Sequence, residues 1–235
     1  MCSSDLFNLP RDLIAPAFGA IAQPLNGTYQ IHFSDTVPRM AIFVSRQNHC
    51  LLDLIWRQQA QEFLAEIPLI ISNHPDLEPI AKQFGIDYHY LPITKDNKQE
   101  QQQRQLELLA KYQIDLAILA KYMQIINPEF IDSFSSQKII NIHHSFLPAF
   151  VGANPYHKAY ERGVKIIGAT GHYITSELDA GPIIEQDVVR VTHRDNVDDL
   201  IRKGKDLERI VLARSVRHHL QNRVLVYGNK TVVFE

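Results

Sequence analysis

Ile139-Ile140-Asn141-Ile142-His143-His144-Ser145-Phe146-Leu147-Pro148 is the stretch that decides how this chain reads. Its first four residues suit the end of a buried strand, and Pro148 stops any continuation. Strand side chains alternate between faces, so Asn141 and His143 share one face and Ile140 and Ile142 the other. An amide and an imidazole therefore stand side by side at a strand's C-terminal edge, where open parallel α/β sheets bind ligands. An amide N–H stabilises a developing oxyanion, and an imidazole moves a proton near neutral pH, a pairing suited to an acyl carbon. The same spacing also fits a hydrogen-bonded loop with no chemistry.

The chain of 235 residues fits one large domain, or one domain with a small appendage. Its hydrophobic content of 45% supports a buried core, and a net charge of −2 gives no global field to draw nucleic acid or an anionic membrane. Cys2 and Cys50 make no disulfide framework and no cysteine-based zinc spacing. No secretory pattern and no membrane-spanning apolar run is evident, so the cytoplasm is the expected location.

Working outward, residues 40–44 form a short apolar run expected of a strand covered on both faces. A helix over 50–63 should follow, with Leu51, Leu54 and Ile55 at helical spacing. Strands at 68–71 and 88–91 flank a helix opened by Pro75-Asp76 and closed by Gly85. The Gln-rich run 99–105, continuing through Leu106, Leu109 and Tyr112, reads as an amphipathic helix with a solvated face. A buried strand at 116–119 comes next, and Asn127-Pro128 and Asn154-Pro155 should each start a helix. Strands at 165–174 and 182–191 precede a long helix carrying Val197, Leu200, Ile201, Gly204, Leu207 and Val211 on one face. A hairpin closes the chain. Strand–helix alternation after Met40 predicts an α/β fold with a doubly wound, mostly parallel sheet. Residues 1–38 differ: a helix over 11–23 and a strand over 28–33 are expected, too little for an independent core.

Asp179 lies in the loop 175–181 and is followed by the tight turn Ala180-Gly181-Pro182. It reads either as a turn aspartate bonded to its own backbone or as a carboxylate that favours and orients the His143 imidazolium. His172 alone reads as a core or hydrogen-bonded histidine. His143, His144, His172 and Asp179 are all suitable metal ligands, but they lack the helical histidine spacing of zinc hydrolases, and no metal is expected. Cys50 reads as packing. The turn 45–49 contains no glycine, so it lacks the usual phosphate-cradling backbone.

Taken together, Asn141-Ile142-His143, Ser145, Leu147-Pro148, Glu177-Leu178-Asp179 and Gly181-Pro182 resemble the folate-dependent formyltransferase-fold family. Within it, His143-His144-Ser145-Phe146-Leu147-Pro148-Ala149-Phe150, Pro155-Tyr156-His157, Gly168-Ala169-Thr170 and Val226-Tyr227-Gly228-Asn229 are more similar to the formyltetrahydrofolate deformylase branch. The glycinamide ribonucleotide formyltransferase branch usually has Pro after the catalytic His. The resemblance covers residues 39–235 as a catalytic domain. It implies hydrolysis of 10-formyltetrahydrofolate to tetrahydrofolate and formate, balancing one-carbon pools for purine synthesis, with the folate as substrate and no cofactor.

The resemblance also implies roles. Asn141 holds the formyl oxygen as it becomes an oxyanion, His143 is the general acid/base, and Asp179 positions water and tunes His143. His172 and His144 support them. Met123, Gln124, Ile125 and Ile126, with Thr175, Ser176, Glu177 and Leu178, match segments that hold the pterin; Gln124 replaces the usual Arg, which backbone contacts would survive. Residues 1–38 resemble the second half of a small ACT-type regulatory domain, so a partial ACT-like remnant and a homo-oligomer are expected. The alternatives are formyl transfer to the amine of a phosphorylated acceptor, favoured against by the glycine-free turn, and a folate-binding regulatory protein.

Overall fold

Strand β1 (Arg39–Val44) is an interior strand, third from one edge of a seven-stranded sheet, and its residues 40–44 are fully buried. The computed structural model describes residues 9–148 and 155–234. It divides the chain into two units, up to Thr36 and from Val37 onward.

In the second unit, β1 is followed by α2 (His49–Gln59), β2 (Glu66–Ser72), α3 (Glu78–Gln83), β3 (Asp87–Tyr90), α4 (Lys98–Lys111) and β4 (Leu116–Leu119). Then come α5 (Pro128–Phe134), β5 (Ile139–His143), α6 (Pro155–Arg162), β6 (Ile166–Tyr173), β7 (Ile183–Arg190) and α7 (Val197–Leu220). The strand order is β3-β2-β1-β4-β5-β6-β7. Strands β3 to β5 run parallel, and β6 and β7 are antiparallel. Chain order departs from spatial order on either side of β1, the reversal at which α/β sheets open a crevice.

Apolar clusters cover both faces of this sheet. One joins Ile42, Ile70, Ile118 and Ile140 to Leu54 of α2 and Val211 of α7. The other joins Phe43, Ile71 and Leu119 to Leu109 of α4 and Phe130 of α5. Burying each such side chain contributes roughly 1.5–3 kcal/mol, which explains why the central strands read as unbroken apolar runs. Asn127 caps α5 by accepting from Phe130 N at 2.8 Å, and Asn196 forms a reciprocal capping box with Asp199 on α7. The hairpin β8 (Val224–Tyr227) and β9 (Lys230–Val233) forms as expected.

Three expectations are corrected. Helix α2 stops at Gln59, short of residue 63, because Gln61 turns into the left-handed region (φ 58°) and ends the helical hydrogen bonding. The glutamine run of α4 is only partly solvated: Gln99 and Gln103 are exposed, but Gln101, Gln102 and Gln105 are buried, the last two on polar partners given below. In the first unit, α1 (Arg11–Ala22) forms, but residues 28–33 are extended chain without a ladder, since no strand among the described residues pairs with them. Tyr29 instead packs on α1, its hydroxyl donating to Ala15 O at 2.9 Å and its ring meeting Phe18 edge-on. The start of α6 at Asn154, and Phe7-Asn8 and Ala149-Phe150, lie outside the described residues. No described helix is long and apolar enough to cross a membrane.

Candidate active site

Strand β5 delivers Asn141 and His143 to one face, as its alternation requires, and the antiparallel partner β6 sets His172 opposite Asn141 and Thr170 opposite His143. The amide of Asn141 and His172 Nε2 are 3.2 Å apart. His172 Nδ1 lies 2.8 Å from Tyr173 O, which can only accept, so Nδ1 carries the hydrogen and Nε2 accepts from Asn141. Burial holds the His172 pKa below its ordinary value, although the Tyr173 carbonyl and Asp179 act the other way. His172 is therefore a neutral acceptor that fixes which edge of the Asn141 amide faces the cavity.

Thr170 organises the turn after His143. Its hydroxyl donates to Ser145 O at 2.8 Å and accepts from Leu147 N at 3.1 Å and from Gln186 Nε2 at 2.9 Å. Ser145 O, Leu147 N and Leu147 O in this turn thus have partners on β6 or β7 that hold the backbone after β5.

Asp179 arrives from the β6–β7 loop. Its Oδ1 is 3.2 Å from His143 Nδ1 and 4.0 Å from His172 Nε2, with its side chain only 12% exposed. The hydrogen bond from His143 holds the Asp179 carboxyl below its ordinary value, against the opposing effect of partial burial. Asp179 itself sits at φ 56°, a left-handed conformation that Asp tolerates better than most residues. Gly181 has no such freedom to change: a Cβ there would lie 1.8 Å from Tyr173 O. Asn229, in the hairpin turn, donates to Ala180 O at 2.8 Å and ties the loop down from outside.

With Nδ1–H committed to Asp179, the other nitrogen of neutral His143 carries the lone pair. That Nε2 is buried and has no hydrogen-bond partner among the described residues. It belongs to a cavity of about 540 Å³ lined by Asn141, His143, His144, His172 and Asp179 together with 123–126 and 175–178. The cavity thus gathers every residue predicted for the site. His144 stacks on His143 at 5.0 Å, and its pKa is pushed down to about 4, first by burial and then by the charges of Lys121 and His143. A neutral ring therefore flanks the His143 imidazole.

Residues that the sequence reading passed over hold these parts. Gln102 on α4 donates to Ile125 O at 2.9 Å and accepts from Asn127 N at 3.0 Å, while Gln105 donates to the Tyr122 hydroxyl at 2.9 Å. Ser45, after β1, accepts from Met123 N at 3.0 Å. The segment 122–127 is thereby pinned by its backbone. A signal was present: Gln102, Gln105 and Leu109 follow helical spacing, so the glutamines continue the buried stripe.

The candidate ligands His143, His144, His172 and Asp179 are engaged as described. Among the described residues, three potential ligand atoms within 4.8 Å of one another occur instead at His49, Cys50 and Glu208. This group does not suit a cation: burial raises the Cys50 thiol pKa well above its ordinary value, and the Lys121 ammonium is 3.4 Å from Glu208.

The chain is similar to known proteins in sequence and in fold. A family model described as formyl transferase matches residues 38–216. A formyltetrahydrofolate deformylase of Synechocystis sp. is 66% identical over 98% of this chain and 80% of its own length. The crystal structure of a formyltetrahydrofolate deformylase from Pseudomonas syringae pv. tomato superposes with a TM-score of 0.95 at 46% identity, covering 98% of this chain and 77% of that one. Glycinamide ribonucleotide transformylase 1 from Symbiobacterium toebii gives 0.79 at 27% identity, over 88% and 99%.

Proposed function

The chain belongs to the formyl transferase family, and from that premise we propose that it hydrolyses 10-formyltetrahydrofolate to tetrahydrofolate and formate. The observation that carries the reading is the alignment of Asp179, His143 and Asn141 on one cavity, with His143 Nε2 left without a partner there.

The chemistry follows from that alignment. His143 Nε2 takes a proton from water as the water oxygen bonds to the formyl carbon, and Asp179 offsets the charge that forms on the ring. The carbonyl oxygen gains charge, which the Asn141 amide stabilises; a donor of this type contributes on the order of 10²–10³ in rate. The proton then passes from Nε2 to the departing nitrogen, the C–N bond breaks, and formate leaves as its anion with release of the remaining proton. No step calls for a cofactor.

The finer parts belong to the same reading. Residues 123–126 and 175–178 hold the pterin, supported by Met123, Ile125 and Leu178, which expose 63%, 57% and 60% of their surface beside the cavity and offer apolar edges to a flat ring. The protein works in the cytoplasm as a homo-oligomer. The support for assembly is that one helix and an extended segment bury too little apolar surface alone.

A formate-release assay tests the reading, run with and without glycinamide ribonucleotide and with a chelator. Formate should appear with no amine added, and Asp179→Asn should lower kcat by roughly 10²–10⁴ while folate binding persists. Turnover that depends on the added amine would make the chain a transferase instead.

A further inference from the structure

A base at His143 Nε2 can deprotonate water but does not by itself fix where that water sits. The carboxylate beside it is on the wrong edge of the ring. Asp179 Oδ1 meets His143 at Nδ1, 3.2 Å away, and the two nitrogens of an imidazole point from opposite edges. A water on Nε2 therefore lies across the ring from Asp179. Three other polar side chains of the cavity wall are engaged elsewhere. Both nitrogens of His172 are spent, on Asn141 and on Tyr173 O. The Tyr156 hydroxyl donates to Glu208 at 2.6 Å, and Lys121 Nζ lies 3.4 Å from the same carboxylate.

His144 is placed differently. Neighbours on a strand point to opposite faces, but β5 ends at His143, and the turn that Thr170 holds brings the next ring back over it. The two rings stack with centroids 5.0 Å apart and planes 23° from parallel. His144 is half-buried and lines the cavity, yet neither of its nitrogens makes a hydrogen bond to a described residue. A water bonded to Nε2 at about 2.9 Å stands roughly 4 Å from the His143 centroid, so a ring stacked at 5.0 Å can reach the same water. Burial, then the charges of Lys121 and His143, hold the His144 pKa at about 4 against Glu208 and Asp179. At pH 7 the ring is neutral, with one nitrogen to donate and one to accept.

We propose that His144 holds the attacking water: the water gives one hydrogen to His143 Nε2 and the other to the bare nitrogen of His144, which aims an oxygen lone pair at the formyl carbon. The proposal rests on the hydrolytic reading and explains why solvent is the nucleophile. As the C–O bond forms, the first proton passes to His143 and then to the departing folate nitrogen. The second stays on oxygen until formate leaves, so His144 orients the water and takes no proton.

Hydroxylamine tests this, because it competes with water for the same carbon. Its nitrogen bonds to the formyl carbon, the C–N bond to the folate breaks, and formohydroxamic acid leaves beside tetrahydrofolate. With 10-formyltetrahydrofolate and hydroxylamine at neutral pH, the wild type should release formate and little hydroxamate above an enzyme-free control. His144→Phe keeps a stacked ring but offers water no bond. Its kcat for formate should fall by about 10- to 100-fold with KM little changed, and its ratio of hydroxamate to formate should rise at least about tenfold. At least one of His144→Asn and His144→Gln, which restore a side-chain acceptor, should recover part of the formate rate and lower the ratio. The ratio is read per turnover, so partial unfolding does not move it; where melting curves show His144→Phe to be unfolded, His144→Leu carries the same arm. Equal ratios in wild type and folded variant, or wild-type kcat in His144→Phe, would overturn the proposal. Absence of formate release by the wild type would sink the hydrolytic reading separately.

Discussion

His172 accepts the Asn141 amide at 3.2 Å across the β5–β6 ladder, where the two residues are register partners. The contact is made by a neutral ring with its other nitrogen spent on Tyr173 O, so it orients the amide without adding charge beside it. His172→Phe should lower kcat by about tenfold with little change in KM, a fraction of the 10²–10³ that losing the amide itself would cost. His172→Gln, which retains an acceptor, should recover part of the loss. Steady-state formate release on both variants checks this; equal deficits would remove the orienting role.

Gln102 spans Ile125 O and Asn127 N from a buried position. Gln102→Leu strands both backbone groups, at about 1–3 kcal/mol for each buried group left unsatisfied. Because the segment they hold lines the cavity, KM for the folate should rise by roughly 5- to 150-fold while kcat falls far less. A kcat loss larger than the KM change would show that the segment does more than bind.

Gly181→Ala places a methyl 1.8 Å from Tyr173 O, a backbone atom held in the β6 ladder. The loop must move, and Asp179, two residues earlier, moves with it. We expect a stability loss of about 2–4 kcal/mol, read as a lowered Tm, together with a kcat deficit resembling Asp179→Asn. Wild-type kcat in this variant would mean the loop tolerates displacement.

Stability should fall on the acid side of neutrality through His144. Its folded pKa is depressed to about 4 from an ordinary 6.5, so below 6.5 the unfolded chain takes up a proton that the folded chain refuses. The contribution is fully present above 6.5 and is lost as pH falls toward 4. Glu208, brought down to about 2 from 4.5, extends the loss to lower pH: burial opposes that shift, and the His49 bond, the Lys121 charge and the Tyr156 hydroxyl outweigh it. Tm measured from pH 7 to 4 should slope less in His144→Phe than in the wild type, and the His144 ring proton should titrate near pH 4 by NMR.

The mostly parallel, doubly wound sheet with both faces covered and the shared face of Asn141 and His143 were legible because alternation and apolar runs are local properties. Asp179 was legible as a restrained turn residue, but its approach to His143 depends on a loop conformation that no periodicity encodes. The buried glutamines were hidden by their polarity, which made a solvated face the natural reading; only their helical spacing argued otherwise. Glu208 was hidden in the same way among Gly204, Leu207 and Val211, and its partners converge from three other segments. The missing ladder at 28–33 is the opposite case, where local alternation was present and a neighbour to pair with was not.

Asn141 and His143 are two residues apart on a strand bonded along both edges, so their separation is roughly 6.6 Å by backbone repeat alone. No rotamer change or ligand can retune it without tearing the ladder. The carboxylate, carried on a loop, is the adjustable partner, so gradual inactivation by heat or mild denaturant should begin there while the amide and imidazole still hold their places.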